Sequence, residues 1–454
     1  MPPRHGLTLA AARFINASPA NDAPVETSLQ KTWTERDADV VWHGFTQMAC
    51  YAGNTPLIVE RGEGRELIDT EGRRYLDAIS SLWVTTLGHR VPELDQALRE
   101  QLERIAHSTL LGNGNRMVIE FAEALARLVP VDDPHVLFAS DGACAVEQAL
   151  KIAFQYWTNR GVTQRTAYLA FGDAYHGDTV GSLSLGAGGF GTQIFDPLRF
   201  PVLRAPSFSE PRALEVAARM VHEHRDILAA VVVEPLVQGA AGMLNAPAET
   251  FAQLGAACRD TGVLLVCDEV ATGFGRTGTL FASEQCGLRP DLLCLGKGIT
   301  GGYLPMSATV ANRKVYEAFY GPDLSERTLY HGHSYSGNAL AAAVGLRHLQ
   351  LMQSTDVLRN VRERSAQLRD ALSQLHRFPI VREIRLVGLM GAVELEVTDD
   401  PLLPRRVAAA MVRLGVLSRS MGPVITLVPM LTSTAEEIDR IVNTLVAALE
   451  EVSV

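Results

Sequence analysis

Residues 292–302 read LLCLGKGITGG, an apolar run that ends on one lysine enclosed by glycines. Leu292 to Leu295 have the continuous apolar character of a short strand buried on both faces, as in parallel sheets. Lys297 stands where such a strand would end. The glycines at 296, 298, 301 and 302 leave the backbone free to turn tightly or to be approached closely by a ligand. An ammonium group delivered to the end of a buried strand is either a surface turn or one wall of a site, and the neighbouring strands decide between the two.

The same kind of run recurs upstream. HVLFAS (135–140), TAYLAF (166–171), AAVVVEP (229–235) and VLLVCDEV (263–270) alternate with longer helical patterns, which predicts an α/β lobe with a mostly parallel sheet. Ligands of open α/β sheets gather outside the carboxyl ends of the strands. Those ends are rich in polar and glycine chemistry here. After HVLFAS, Gly142 opens a helical pattern whose free N–H groups suit a phosphate, or are capped by Ser140 or Asp141. After TAYLAF, GDAYHGD (172–178) offers Tyr175, His176 and Asp178. VLLVCDEV carries Asp268 and Glu269 after five apolar residues, deep enough to call for a cationic partner or a hydrogen-bonding ligand.

A chain of 454 residues, 47% hydrophobic and 20% charged, is expected to form two lobes of a compact globular enzyme. Residues 1–35 read as an N-terminal extension. Residues 36–75 read as the first part of a small domain, with a β-meander turning at ERGEG and DTEGR. Residues 76–339 read as the large sheet-bearing domain and 340–454 as the C-terminal part of the small one. The last helix is signed by Ser433 and Glu436, spaced as a capping box, and by Ile438, Ile441, Val442, Leu445, Val446 and Leu449 at helical intervals.

Several function classes are disfavoured. A net charge of −10 offers no basic surface for nucleic acid. No apolar run approaches the roughly 20 residues that span a bilayer. LTLAAA, between Arg4 and Arg13, is too short for a signal peptide, so a cytoplasmic setting is expected. The six cysteines form no C-x-x-C pair, and the H-x-H pairs at 222/224 and 331/333 lack companion ligands, so neither disulfides nor a metal are expected. GAGGFG (186–191) fits G-x-G-x-x-G, but no apolar strand precedes it and Pro197 and Pro201 follow. Asp291 and Gly298 break the P-loop template around Lys297.

One lysine, a buried aspartate, an aromatic plate and a phosphate cradle on neighbouring strand ends suit pyridoxal phosphate. The lysine amine condenses with its aldehyde, a carboxylate keeps the pyridine nitrogen protonated, and an aromatic side chain stacks on the ring.

From Val41 onward the chain resembles the class III, fold-type I aminotransferases, through DAYHGD, VVVEPLVQGAAGM, VCDEVATGFGRTG, LCLGKGITGGYLP and HGHSYSGN in that order. The resemblance implies that Lys297 bonds the cofactor, Asp268 partners its pyridine nitrogen and Tyr175 stacks on its ring. Gly142 and Ala143 would bind the phosphate, with His176, Glu234 and Gln238 at strand ends near the cofactor. Gly332 and Ser334 belong to a segment that in this family reaches the neighbouring subunit's site, which implies a homodimer. WHGFTQM, SSLW, YHGDT and GVLSRSMG are similar to a branch that aminates 8-amino-7-oxononanoate in biotin synthesis. That likeness implies a substrate pocket shaped by Phe45, Trp83 and Asp178, and an Arg419 that clamps the substrate carboxylate. Leu82 beside Trp83, together with Phe45, looks more like the form using L-lysine as amino donor than the form using S-adenosylmethionine. A general ω-aminotransferase would share every cofactor residue. A non-catalytic relative would break the Lys297/Asp268 pair, which is intact.

Overall fold

The computed structural model describes residues 31–187, 191–397 and 400–452. Residues 188–190 of the GAGGFG stretch and 1–30 of the N-terminal extension lie outside these ranges. The chain forms two compact units that divide between Ile58 and Val59.

In the first unit, helix α1 (Trp33–Val40) opens on a capping box: the Thr32 hydroxyl accepts from Glu35 N and the Glu35 carboxylate accepts from Thr32 N. WHGFTQM is loop leading into a 3-10 turn. His43 Nε2 lies 2.6 Å from Asp37 Oδ2, and its ring stacks on Tyr51 at 4.5 Å between centroids.

The second unit begins with the expected meander, an antiparallel run of β1 (Val59–Glu63), β2 (Glu66–Asp69) and β3 (Arg74–Asp77). The short strand Val416–Leu417 extends this sheet, parallel to Leu76 and Asp77, so the two chain ends of the unit share one sheet. The main sheet has seven strands: β4 (His135–Ala139), β5 (Ala167–Phe171), β6 (Leu203–Ala205), β7 (Leu228–Val233), β8 (Leu264–Asp268), β9 (Leu292–Leu295) and β10 (Ser307–Ala311). They lie side by side in the order β4-β10-β9-β8-β7-β5-β6. Only β10 runs against the rest, pairing antiparallel with β9 and β4. Every residue of β7, β8 and β9 is buried, because helices cover both faces of the sheet. Helix α2 (Gly142–Asn159) follows β4 and crosses the sheet, and the short α3 (Val180–Leu185) lies against it.

Beyond α4 (Ala339–Ser354), the stretch IRLVGLMGAVELEV folds as a hairpin of β11 (Val381–Val387) and β12 (Met390–Leu395), closed by the two-residue turn Gly388–Leu389. Strands β13 (Arg419–Met421) and β14 (Val424–Leu427) complete that sheet, and α5 (Ala435–Val452) buries its apolar stripe. The cap of α5 falls one residue later than its sequence suggested. Thr434 and Glu437 exchange the reciprocal bonds, with Glu437 N donating to Thr434 Oγ1 at 3.3 Å and Thr434 N to Glu437 Oε2 at 2.9 Å. Both T-x-x-E and S-x-x-E satisfy the motif, and the helix starts at Ala435, which selects the former.

The segment after β3 is held from the far end of the chain. Ser80, Ser81 and Trp83 have φ of 51°, 62° and 64°, conformations that cost non-glycine residues about 1–3 kcal/mol each. Long-range bonds fix them: Ser80 Oγ donates to the Val428 carbonyl at 2.7 Å, and Leu431 N to the Thr86 carbonyl at 2.8 Å. The fully buried Arg276 donates to the carbonyls of Thr85 and Pro429, both at 2.6 Å.

Two glycines separate backbone conformation from crowding. Gly388 (φ +59°) would place a Cβ 2.2 Å from the Arg276 carbonyl oxygen, whereas Gly72 (φ +83°) faces open space. Gly72→Ala should therefore cost only the left-handed strain, about 1–2 kcal/mol. Gly388→Ala should cost roughly twice that or more, because backbone must shift as well. Urea denaturation of the two variants checks the order.

Candidate active site

A cavity of about 490 Å³ opens at the carboxyl edge of the main sheet, and five strand ends supply its wall. Asp141, Gly142 and Ala143 follow β4, and Tyr175, His176, Gly177, Asp178 and Thr179 follow β5. Glu234 comes after β7, Asp268 ends β8, and Lys297 stands two residues beyond β9. Trp83, Ala240, Val270 and Ala271 complete the lining.

Lys297 answers the question its sequence poses. It begins a single 3-10 turn at φ 44°, and its Nζ lies 4.6 Å from the centroid of the Trp83 ring. Removal from water brings its pKa down to about 8, against the opposing pull of Asp268 and Glu234 and with a smaller push from Arg276. Trp83 is seated by Gly239, where a Cβ would come 3.1 Å from the Trp83 Cζ3.

Asp268 Oδ2 lies 2.7 Å from His176 Nδ1, and Val270 N donates to Oδ1 at 3.0 Å. His176 Nε2 is buried without a hydrogen-bond partner among the described residues. Glu234 accepts from Tyr175 N at 3.2 Å and from Gly239 N at 3.1 Å, and burial raises its pKa to about 7. The Tyr175 hydroxyl donates to Asp178 Oδ2 at 2.9 Å, with burial pushing its pKa up.

Helix α2 presents its first turn to the cavity. Asp141 is its N-cap, with Oδ1 accepting from Cys144 N at 2.9 Å. Burial pushes this carboxyl up, but donors from Cys144 and Ser140 outweigh it and hold the pKa below the usual range. At Gly142 a Cβ would fall 2.5 Å from Val270 Cγ1, so only glycine lets the helix start this close to the strand end.

The cavity thus brings together Lys297, Asp268, Tyr175, His176, Glu234, Gly142, Ala143, Trp83 and Asp178. Other residues singled out in the sequence lie elsewhere. Arg419 is exposed on β13, and neither it nor Gly332 nor Ser334 is among the lining residues. The 331–334 segment runs beside α2, where Lys151 Nζ lies 3.1 Å from His331 Nδ1, while the Ser334 carbonyl lies 2.7 Å from His107 Nε2. Phe45 belongs to the first unit, at φ 54°. Gln238 is not among the lining residues. It donates to the Gly172 carbonyl at 2.7 Å and accepts from Phe208 N at 3.1 Å, bracing the loops after β5 and β6.

Glu269 takes the second of the two expected forms of support, hydrogen bonds. It has four hydrogen-bond donors in place of a cation: Ala282 N, Ser283 N and Oγ, and Thr272 Oγ1, at 2.6–3.2 Å. It fastens the loop after β8, and burial raises its pKa to about 7. Val270, Ala271, Thr179 and Ala240 were not foreseen, since small or apolar residues at strand ends carry no chemical signal of their own.

The sheet and its five strand ends define an α/β enzyme with a lysine-centred cavity. The family model for class-III aminotransferases matches residues 48–449, and the chain belongs to that family. An adenosylmethionine-8-amino-7-oxononanoate aminotransferase of Nitratidesulfovibrio vulgaris is 44% identical, over 91% of this chain and 80% of the relative. One of the same name from Anoxybacillus flavithermus is 38% identical, over 92% and 96%. Among solved structures, the enzyme of that name from Methanocaldococcus jannaschii superposes with a TM-score of 0.89 at 37% identity, covering 92% of this chain and 98% of that one. An ω transaminase from Pseudomonas jessenii gives 0.87 at 27% identity, covering 93% and 99%.

Class III aminotransferases work with pyridoxal 5'-phosphate, and the residues here fit it. An amine with lowered pKa, a buried carboxylate, a tyrosine ring and the first turn of α2 face one cavity large enough for a cofactor with a small substrate. Among the described residues no helix is long and apolar enough to cross a membrane.

The lowered pKa makes Lys297 reactive near neutrality. In cofactor-free protein its modification by an amine-directed reagent should rise about tenfold per pH unit up to about pH 8 and then level off, since only the neutral amine attacks. An ordinary surface lysine keeps rising beyond pH 10. Peptide mapping by mass spectrometry after timed labelling reads the difference.

Proposed function

We propose that the protein transfers an amino group to 8-amino-7-oxononanoate, giving 7,8-diaminononanoate for biotin synthesis, with pyridoxal phosphate in the cavity. The observation that carries this is the placement of Lys297, Asp268, Tyr175 and the first turn of α2 around one cavity. The names of the relatives supply the acceptor.

When bound, pyridoxal phosphate supplies an aldehyde that takes up and hands on an amino group, and a ring that stores the electron pair. The chain's own groups do the rest. Lys297 Nζ would move a proton between the substrate carbon and the cofactor's aldehyde carbon, as general base and then general acid. Asp268, its orientation fixed by His176 and Val270 N, holds a proton on the pyridine nitrogen. Tyr175 stacks on the ring while Glu234 holds its backbone. The N–H groups of Gly142 and Ala143 receive the phosphate. Trp83 and Asp178 border the substrate. By the resemblance, Arg419, which is exposed on β13 and outside the cavity lining, would receive the substrate carboxylate, and Ser334 and Gly332 would serve the site across a homodimer. The proposed setting is the cytoplasm.

The donor is S-adenosylmethionine in the names of the relatives, while Leu82 and Phe45 favour L-lysine. Purified protein loaded with cofactor is given each donor with 8-amino-7-oxononanoate, and product is followed by mass spectrometry. Product with either donor is expected. Turnover of simple amines without any of 8-amino-7-oxononanoate would replace this reading by a general ω-aminotransferase, the activity of a solved structure with the same fold. Lys297→Ala should lower turnover by about 10²–10⁴-fold or more while leaving the circular dichroism unchanged.

Asp141 sets a carboxylate beside the proposed phosphate site. Asp141→Asn keeps a capping oxygen and removes the charge, so cofactor affinity should rise about 2- to 5-fold, within the energy of a charge at a helix N-terminus. Spectral titration with pyridoxal phosphate measures it.

A further inference from the structure

Two walls of the cavity meet along one stripe of α2. Ala143 and Glu147, four residues apart, share a face of the helix. Gly177 sits directly on Ala143: a Cβ there would lie 2.4 Å from the Ala143 Cβ and 2.9 Å from Ser182 Oγ. One turn further on, Glu147 Oε1 accepts from Thr179 Oγ1 at 2.6 Å, Gly181 N at 2.7 Å and Ser182 N at 3.3 Å. A Cβ at Gly181 would fall 2.3 Å from Glu147 Oε2, so any side chain there must push the carboxylate aside.

Helix α3 has no side-chain cap of its own from Thr179, and Glu147 caps it from another helix. At the other end of α3, Arg204 donates to the carbonyls of Ser184, Leu185 and Gly186. An anion at the first turn and a cation at the last both oppose the helix dipole, so this six-residue helix is fixed at each end.

We propose that Glu147 is a positioning residue for the cofactor. It locks the Tyr175–Thr179 loop in register with the first turn of α2, so that the ring-stacking wall and the phosphate-binding wall keep a fixed spacing. It touches neither cofactor nor substrate. The inference rests on the reading of the cavity as a pyridoxal phosphate site.

Three variants test it by spectral titration of cofactor-free protein with pyridoxal phosphate, alongside thermal melts. Glu147→Ala leaves three donors without their acceptor and should weaken cofactor binding by about tenfold or more, with a shifted visible band. Glu147→Gln keeps an acceptor oxygen at the Oε1 position and should stay within about threefold of wild type. Gly181→Ala displaces the carboxylate without removing it and should reproduce Glu147→Ala. If Glu147→Ala does not fold, the other two variants decide. Folded Glu147→Ala or Gly181→Ala protein with wild-type affinity and an unchanged band would overturn the proposal. So would a Gln variant as weak as Ala, or failure of both Glu147→Ala and Gly181→Ala to fold, which would mark a purely structural staple. A wild-type chain that takes up no pyridoxal phosphate overturns the reading of the cavity itself, and this inference with it.

Discussion

Keeping one amine out of water, with carboxylates close enough to oppose its neutralisation, is the constraint on which the site depends. Burial alone would drive Lys297 further from its ordinary pKa, and Asp268 and Glu234 alone would hold it charged, so the balance near 8 requires both. That balance fixes much of the surrounding architecture. The strand ends must converge, which a parallel sheet achieves by pointing all its carboxyl ends the same way. Only β10 runs counter to this, and it places no residue in the lining of the cavity.

Close approach of backbone to its neighbours is the second requirement, and glycine supplies it at a few sites. Gly142 brings the start of α2 under Val270, and Gly177 lays the tyrosine loop on Ala143. Each contact is too short for a Cβ, so these walls stand closer than any other residue would allow. Side chains then fix register: Glu234 and Glu147 grip the same loop from two sides, each accepting backbone N–H groups.

The main-sheet strands that build the site were readable because burial on both faces demands unbroken apolar runs, and four of the five strand ends announced themselves by the polar residues that follow. Strands β6 and β10 were not, since LRA and SATVA are too short and too mixed to stand out from loop. The hairpin of β11 and β12 read as one strand-like stretch because a two-residue turn leaves little trace among apolar neighbours. Asp268 and Glu269 stood together as deep carboxylates, yet alternation along an extended chain turns adjacent side chains to opposite sides, and of the two only Asp268 lines the cavity. Arg419, Gly332 and Ser334 were chosen through resemblance, and one folded chain does not bring them to the cavity wall.

The bonds from Ser80 Oγ to Val428 and from Leu431 N to Thr86 join positions some 350 residues apart in the chain, and Arg276 bridges the carbonyls of Thr85 and Pro429 between them. The strained backbone that presents Trp83 is held both locally, by Asp77 accepting from Ile79 N and Ser81 N, and by those distant partners. The wall of the cavity that Trp83 supplies is therefore tied to residues 428–431, which stand far from it in sequence and outside the cavity lining.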